Sequence, residues 1–211
     1  MALPWPGTGP RFRAGAPGRR WLLATVLALG PAMVEAEGVY LSAEEFRTQV
    51  FAGVEPTPQT LWLSAPMKDA AKEILGHSFA QLRVRYWRHG DRTAWVMDEI
   101  GKIHPITIGV AVERGTVADI RVLEYRESRG DEVRMPFFTG QFRGVGLRPD
   151  PGRELDHAID GITGATLSVR AMQRVARLAL YFHEQVVHGQ IVHGQAAPEA
   201  SESVSHAGNP E

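Results

Sequence analysis

Hydrophobic and polar positions change period several times along the chain, and each change marks an element. Ser42 followed by Glu45 has the form of a capping box, and Leu41 and Phe46 have the spacing of a hydrophobic staple, which predicts a helix that Gly53 ends. Residues 54–65 contain Pro56, Pro58 and Thr60 and read as a loop, after which Pro66 suits the first turn of a second helix. Met67, Ala70, Ala71 and Ile74 supply that helix with its apolar stripe, and Gly76 stops it. From Leu82 the period falls to two: Leu82, Val84 and Tyr86 alternate with Arg83 and Arg85, as in a strand with one buried face. His89-Gly90-Asp91 turns the chain and residues 94–97 return it. Ile106, Ile108, Val110 and Val112 alternate in the next strand, and Arg114-Gly115 turns into residues 117–125. This is an antiparallel meander that buries one face against helices. Residues 131–142 read as a short helix and residues 144–152, rich in proline and glycine, as a surface loop. A last helix carries Val169, Met172, Val175, Ala176, Ala179 and Phe182 on one stripe. The fold class is α+β, an antiparallel sheet packed by helices.

Both ends depart from this pattern. Arg11, Arg13, Arg19 and Arg20 precede the apolar run 21–34, and Val34-Glu35-Ala36 has the small residues of a cleavage site, the layout of a signal peptide over residues 1–36. The run is about 14 residues, broken by Gly30 and Pro31, against the ~20 that a bilayer-spanning helix needs, so export with removal near Ala36 is expected rather than a permanent anchor. Arg19-Arg20 shares the arginine pair of a twin-arginine signal without completing its pattern, which leaves the export route open. The other end turns to Ala, Pro, Glu, Ser and His without periodicity, a disordered tail. The chain divides into a signal peptide (1–36), an N-terminal helical segment (37–77), a domain (78–190) and the tail (191–211).

Composition narrows the chemistry. With 211 residues, 44% of them hydrophobic, the chain can bury a core of its own. A formal net charge of -1 gives no reason to expect nucleic acid as a partner, and removal of residues 1–36 leaves a mildly acidic protein. The absence of cysteine excludes disulfides, thiolate metal sites, iron–sulfur ligation and lipoprotein acylation together. His183, His188 and His193 are five apart, about 140° around a helix, so they do not converge on a metal; the repeated Val-His-Gly-Gln reads as a small duplication. Gly144-Val145-Gly146 begins like a dinucleotide fingerprint, but Pro149 stands at the third glycine position. Arg170, Arg174 and Arg177 share a helix face that reads as solvated, and His104 beside Pro105 reads as a loop residue.

One stretch remains. Asp160-Gly161-Ile162-Thr163-Gly164-Ala165-Thr166-Leu167-Ser168 opens the last helix, and its local chemistry supports two readings. Asp, Thr and Ser form Asx turns and N-caps at ordinary helix starts. The same residues also suit a phosphate site, because glycine allows a tight turn while a helix N-terminus offers unpaired N–H groups and a positive dipole end.

The string matches the D-x-x-(S/T)-G-A-T flavinylation motif. In this the chain resembles the FMN-binding domain family, as in the G subunit of Rnf electron-transport complexes and the C subunit of sodium-translocating NADH:quinone reductases. An upstream family loop of Glu-Thr-Pro-Gly type has its counterpart in Glu127-Ser128-Arg129-Gly130, followed by Phe138 and by Gln141-Phe142-Arg143-Gly144. Ser128 and Arg129 replace the usual threonine and proline, the mark of a divergent single-domain relative. The resemblance implies FMN bound covalently through a phosphoester to Thr166, attached by a separate magnesium-dependent flavin transferase with FAD as donor. It also implies a flavin site between the sheet-edge loop (Glu127, Ser128, Gly130), Gln141 and Phe142, and the helix start (Asp160, Gly161, Thr163, Gly164, Ala165, Leu167, Ser168). Of these, Thr163 and Ser168 are the expected phosphate donors. The function this implies is that of an exported, periplasmic or otherwise extracytoplasmic electron carrier with membrane or extracytoplasmic redox partners, rather than a stand-alone catalyst. The alternative is a non-redox assembly module of a membrane electron-transfer complex that keeps the fold without working flavin.

Overall fold

Ser42 opens the first helix as its spacing predicts: its hydroxyl accepts the Glu45 amide at 3.1 Å, and Glu45 Oε2 accepts the Ser42 amide at 2.8 Å. The computed structural model describes residues 38–189, so the expected signal peptide and tail lie outside the described residues. This helix, α1 (Ala43–Val50), is followed by β1 (Thr57–Trp62), α2 (Ala65–Leu75), β2 (Arg83–His89), β3 (Arg92–Ile100), β4 (Pro105–Glu113) and β5 (Thr116–Tyr125). Two 3-10 turns, Asp131–Arg134 and Gly140–Phe142, flank the one-turn helix α3 (Pro136–Thr139), and α4 (Thr166–Val187) closes the fold. The strands form one five-stranded antiparallel sheet in chain order, so the fold is α+β.

The sheet differs from the sequence expectation in three places. Residues 54–65 are not simply a loop, because Thr57–Trp62 pairs with β2, from Thr57 opposite Arg88 to Trp62 opposite Arg83. Pro58 conceals this strand, since proline cannot donate to a ladder; it is tolerated because β1 lies at the sheet edge. Leu82 is 64% exposed and precedes β2, so the buried alternation starts at Val84. Burial is also two-sided. On one face Val84, Trp95, Ile108 and Val110 pack with Ile74 of α2 and with Met172, Val175 and Phe182 of α4. On the other, α1 seals a smaller core of Phe46, Ala94, Ala111 and Leu123. A Cβ at Gly109 would meet the Phe46 ring at 2.8 Å, so the glycine is what lets α1 approach the sheet. The segment containing α1, β1 and α2 belongs to the same compact unit as the remaining strands.

Polar groups lock α4 in place, which corrects the reading of its arginines as a solvated face. Arg174 Nη1 lies 3.2 Å from Glu99 Oε1, a carboxylate on β3 whose side chain is 2% exposed. Both Glu99 oxygens also lie 3.1 Å from His77 Nε2. Arg177 Nε donates to the Arg153 carbonyl at 2.7 Å, and Arg177 pairs with Glu154 at 3.0 Å. Only Arg170 of the three is exposed. His183 is buried, with Nδ1 2.8 Å from Thr93 Oγ1 and Nε2 accepting the Gly115 amide at 3.3 Å. Because Nε2 accepts, Nδ1 carries the proton, and burial holds the imidazole pKa down at about 4. Trp95 Nε1 donates to the same Thr93 hydroxyl, while the Trp95 ring stacks on Tyr86 at 4.5 Å and tilts against Phe182 at 5.7 Å. The middle and C-terminal half of α4 are therefore held against the sheet.

Candidate functional site

Position 165 decides what kind of helix start this is. Ala165 occupies the N-cap of α4 with φ -116° and ψ 21°, and no side chain caps the helix. The ordinary N-cap alternative thus fails: no Asp, Thr or Ser oxygen takes the first-turn amides. Ala165 N–H bonds to the Ile162 carbonyl at 3.0 Å and Val169 N–H to the Ala165 carbonyl at 2.9 Å. Between them, the amides of Thr166, Leu167 and Ser168 belong to the first turn, where a helix has no acceptor of its own. Gly164 precedes them at φ +85° with open space around it, so backbone conformation, not crowding, calls for glycine there.

Across from this turn stands the loop after β5. A cavity of about 340 Å³ is lined by Gly164, Ala165, Thr166, Leu167 and Ser168 on one side and by Lys102, Glu127, Ser128 and Arg129 on the other. The two walls touch at their smallest residues. Gly130 has φ +89°, and a Cβ on it would lie 3.1 Å from the Ala165 Cβ and 2.9 Å from Tyr125 Oη. Tyr125 Oη donates to the Arg129 carbonyl at 2.6 Å and lies 2.9 Å from Ser168 Oγ. With the tyrosine proton committed to Arg129, Ser168 is the donor to Tyr125. The result is a hydrogen-bonded bridge from α4 through β5 to the loop.

Glu127 has a different task from its neighbours. Its Oε1 accepts the backbone amides of Lys102, Ile103 and His104 at 2.5, 2.5 and 2.9 Å. Burial would raise the pKa of this carboxyl, but these three amides outweigh it and hold the group below the usual range, ionised at neutral pH. A second cavity of about 520 Å³ shares Glu127 and Ser128 with the first and is lined further by Tyr40, Ile103, His104 and Tyr125. Ile103 (67%), Tyr40 (45%) and Leu167 (42%) expose apolar surface on the rims of the two cavities.

Residues 101–181 match the family described as FMN-binding domain. Over those residues the chain is similar to an FMN-binding domain. The match takes in the Glu127 loop, the motif and most of α4, and leaves α1, β1, α2, β2 and β3 outside it. The chain has no significant match among curated proteins. Within the matched span the residues fit FMN. A first turn with no capping side chain suits a phosphate, and exposed apolar side chains around adjoining cavities suit a flat ring.

The expected site residues divide into two groups. Thr166, Gly164, Ala165, Leu167, Ser168, Glu127 and Ser128 share the first cavity, while Gly130 packs behind its wall. Thr166 is exposed, and its hydroxyl has no partner among the described residues. Asp160, Gly161 and Thr163 are exposed on the approach to the turn and do not line the cavity. Gln141 acts from outside, its Oε1 accepting the Asp160 amide at 2.7 Å and so fixing where the motif enters. Phe142, expected at the cofactor, is instead fully buried, edge-on to Phe138 at 5.6 Å, because its segment needs an anchor in the core. Ser168, expected to donate to phosphate, is 4% exposed and donates its hydrogen bond to Tyr125. Sequence reasoning missed Lys102, Ile103 and Tyr125. Of these, only Tyr125 carried a signal, an aromatic residue closing a strand two positions before the loop.

Proposed function

We propose that this protein is an exported electron carrier whose FMN is held by a phosphoester to Thr166. The observation that carries this reading is the exposed Thr166 hydroxyl, without a partner among the described residues, at the first position of an uncapped 22-residue helix, on the wall of a cavity that the Glu127 loop also lines. In attachment, the Thr166 oxygen forms a bond to the flavin-side phosphorus of FAD, the pyrophosphate P–O bond breaks and AMP leaves. The hydroxyl proton is lost to the transferase that catalyses the step. FMN, when bound, supplies the capacity to accept and release electrons.

The chain's own residues do the rest. First-turn amides of α4 face the phosphate with the positive end of the helix dipole behind them. Gly164 keeps the approach open, and the packing of Gly130 on Ala165 fixes the distance between the two walls. Ile103, Tyr40 and Leu167 offer apolar surface from which a ring displaces water. Covalency suits an extracytoplasmic protein, since a flavin lost there is not readily replaced. Membrane or extracytoplasmic proteins are the redox partners on this reading.

Cell fractionation tests the exported location. A processed chain beginning near Glu37 is expected outside the cytoplasm. Full-length chain confined to the membrane pellet would mean that residues 1–36 are retained as an anchor. Co-expression with a flavin transferase in that compartment tests the cofactor, and a colourless product would favour the assembly-module reading instead.

A further inference from the structure

The geometry points to Lys102 and Arg129 as a pair of cations that clamp the phosphodiester at Thr166, with Glu127 and Tyr125 as the residues that position them; this rests on the attachment proposed above. Lys102 and Arg129 come from different loops and line the same cavity as Thr166. Neither has a carboxylate partner among the described residues, whereas Arg174 and Arg177 on α4 are both paired. An ammonium and a guanidinium left unpaired on the wall of a cavity are suited to an anion within it, and a threonyl phosphodiester brings one negative charge. Asp160 contributes no positive charge, and the Ser168 hydroxyl donates its hydrogen bond to Tyr125.

Both cations are anchored through their backbones. The Lys102 amide and the two that follow it converge on Glu127 Oε1, so a carboxylate at the end of β5 folds the β3–β4 loop around itself as an anion nest. A Cβ at Gly101 would come within 3.1 Å of the same oxygen, so the chain enters this nest through a residue with no side chain. Arg129 is fixed at the other end of its peptide unit, its carbonyl accepting from Tyr125 Oη at 2.6 Å. Arginine at 129 is also one of the two positions where this chain departs from the family loop, which has proline there. The departure adds a charge to the lining of the cavity that Thr166 also lines. On this account Glu127 serves the flavin by holding Lys102, its own charge being taken up by three amides.

The test uses the flavinylated protein and the ³¹P resonance of its ester. Lys102→Gln and Arg129→Gln should each displace the resonance, the double variant further, with the flavin absorption maximum unmoved. A resonance unmoved in the double variant would overturn the clamp. So would a moved absorption maximum with a fixed resonance, which would place the cations on the ring. Displacement in only one single variant would overturn the other residue's part. In unlabelled protein, Glu127→Ala should speed amide exchange at residues 102–104 by about tenfold or more, the loss of charge-assisted hydrogen bonds. Glu127→Gln, which keeps volume and one acceptor, should change exchange less and in the same direction. Unchanged exchange in both variants would overturn the positioning role of Glu127. No covalent flavin on the wild-type chain would overturn the proposed function and the clamp with it, while the exchange measurement still decides the Glu127 part.

Discussion

At position 130 there is no room for a methyl group. Its Cβ would approach Tyr125 Oη to 2.9 Å and the Ala165 Cβ to 3.1 Å, and the backbone is at φ +89°. Gly130→Ala should therefore lower stability by about 1–3 kcal/mol, read as a shift in denaturant midpoint, through strain and through separation of the two cavity walls. An unchanged midpoint would mean that the walls are not held by this contact. The letters of the motif were legible in the sequence, but what two of them do was not. Ala165 is small because Gly130 packs on it, and Ser168 is polar because Tyr125 needs a donor. Both partners lie far upstream in the chain, and no local spacing rule records a contact of that range.

Elements were legible where one periodicity acted alone. The capping box of α1, the left-handed Gly76 that ends α2 at φ 77°, and the apolar stripe of α4 all follow from local sequence. β1 was hidden by Pro58, and the second core by the habit of reading β4 as one-sided: Gly109 and Ala111 are small because α1 lies over them, not because they face water. The basic face of α4 was misread for the same reason, since its acidic partner Glu99 sits on a distant strand. Arg174→Met should cost about 3–5 kcal/mol, because it leaves a buried carboxylate with only His77 beside it. Hydrogen bonding to Glu99 raises the His77 pKa, so its charge supports the folded state fully below the ordinary histidine value of about 6.5 and is lost as pH rises through the raised value. The Arg174→Met deficit should accordingly grow above that window; a deficit independent of pH would contradict the three-group arrangement. His183 acts with the opposite sign. Between pH ~6.5 and about 4 the unfolded chain takes up a proton that the folded one refuses, so stability falls with pH in that window by up to about 3 kcal/mol. His183→Gln should be less stable at neutral pH and flatter across the window, in the same midpoint measurement.

For the molecule as a whole, sheet and helices serve to hold one helix end against one loop. α4 packs across β3 and β4 and against α2, held along its length by contacts with Trp95 and Glu99 and through His183, so Thr166 has a defined place relative to Glu127 and Lys102. A helix start left without a cap is an expense in stability that a purely structural helix avoids, and here it coincides with the FMN-binding match. The intact mass of the protein after co-expression with a flavin transferase tests this most directly. Wild type should gain the mass of one FMN residue and fluoresce as a band under denaturing conditions, Ser168→Ala should do the same, and Thr166→Ala should show neither. Covalent flavin persisting on Thr166→Ala would contradict the account at its centre.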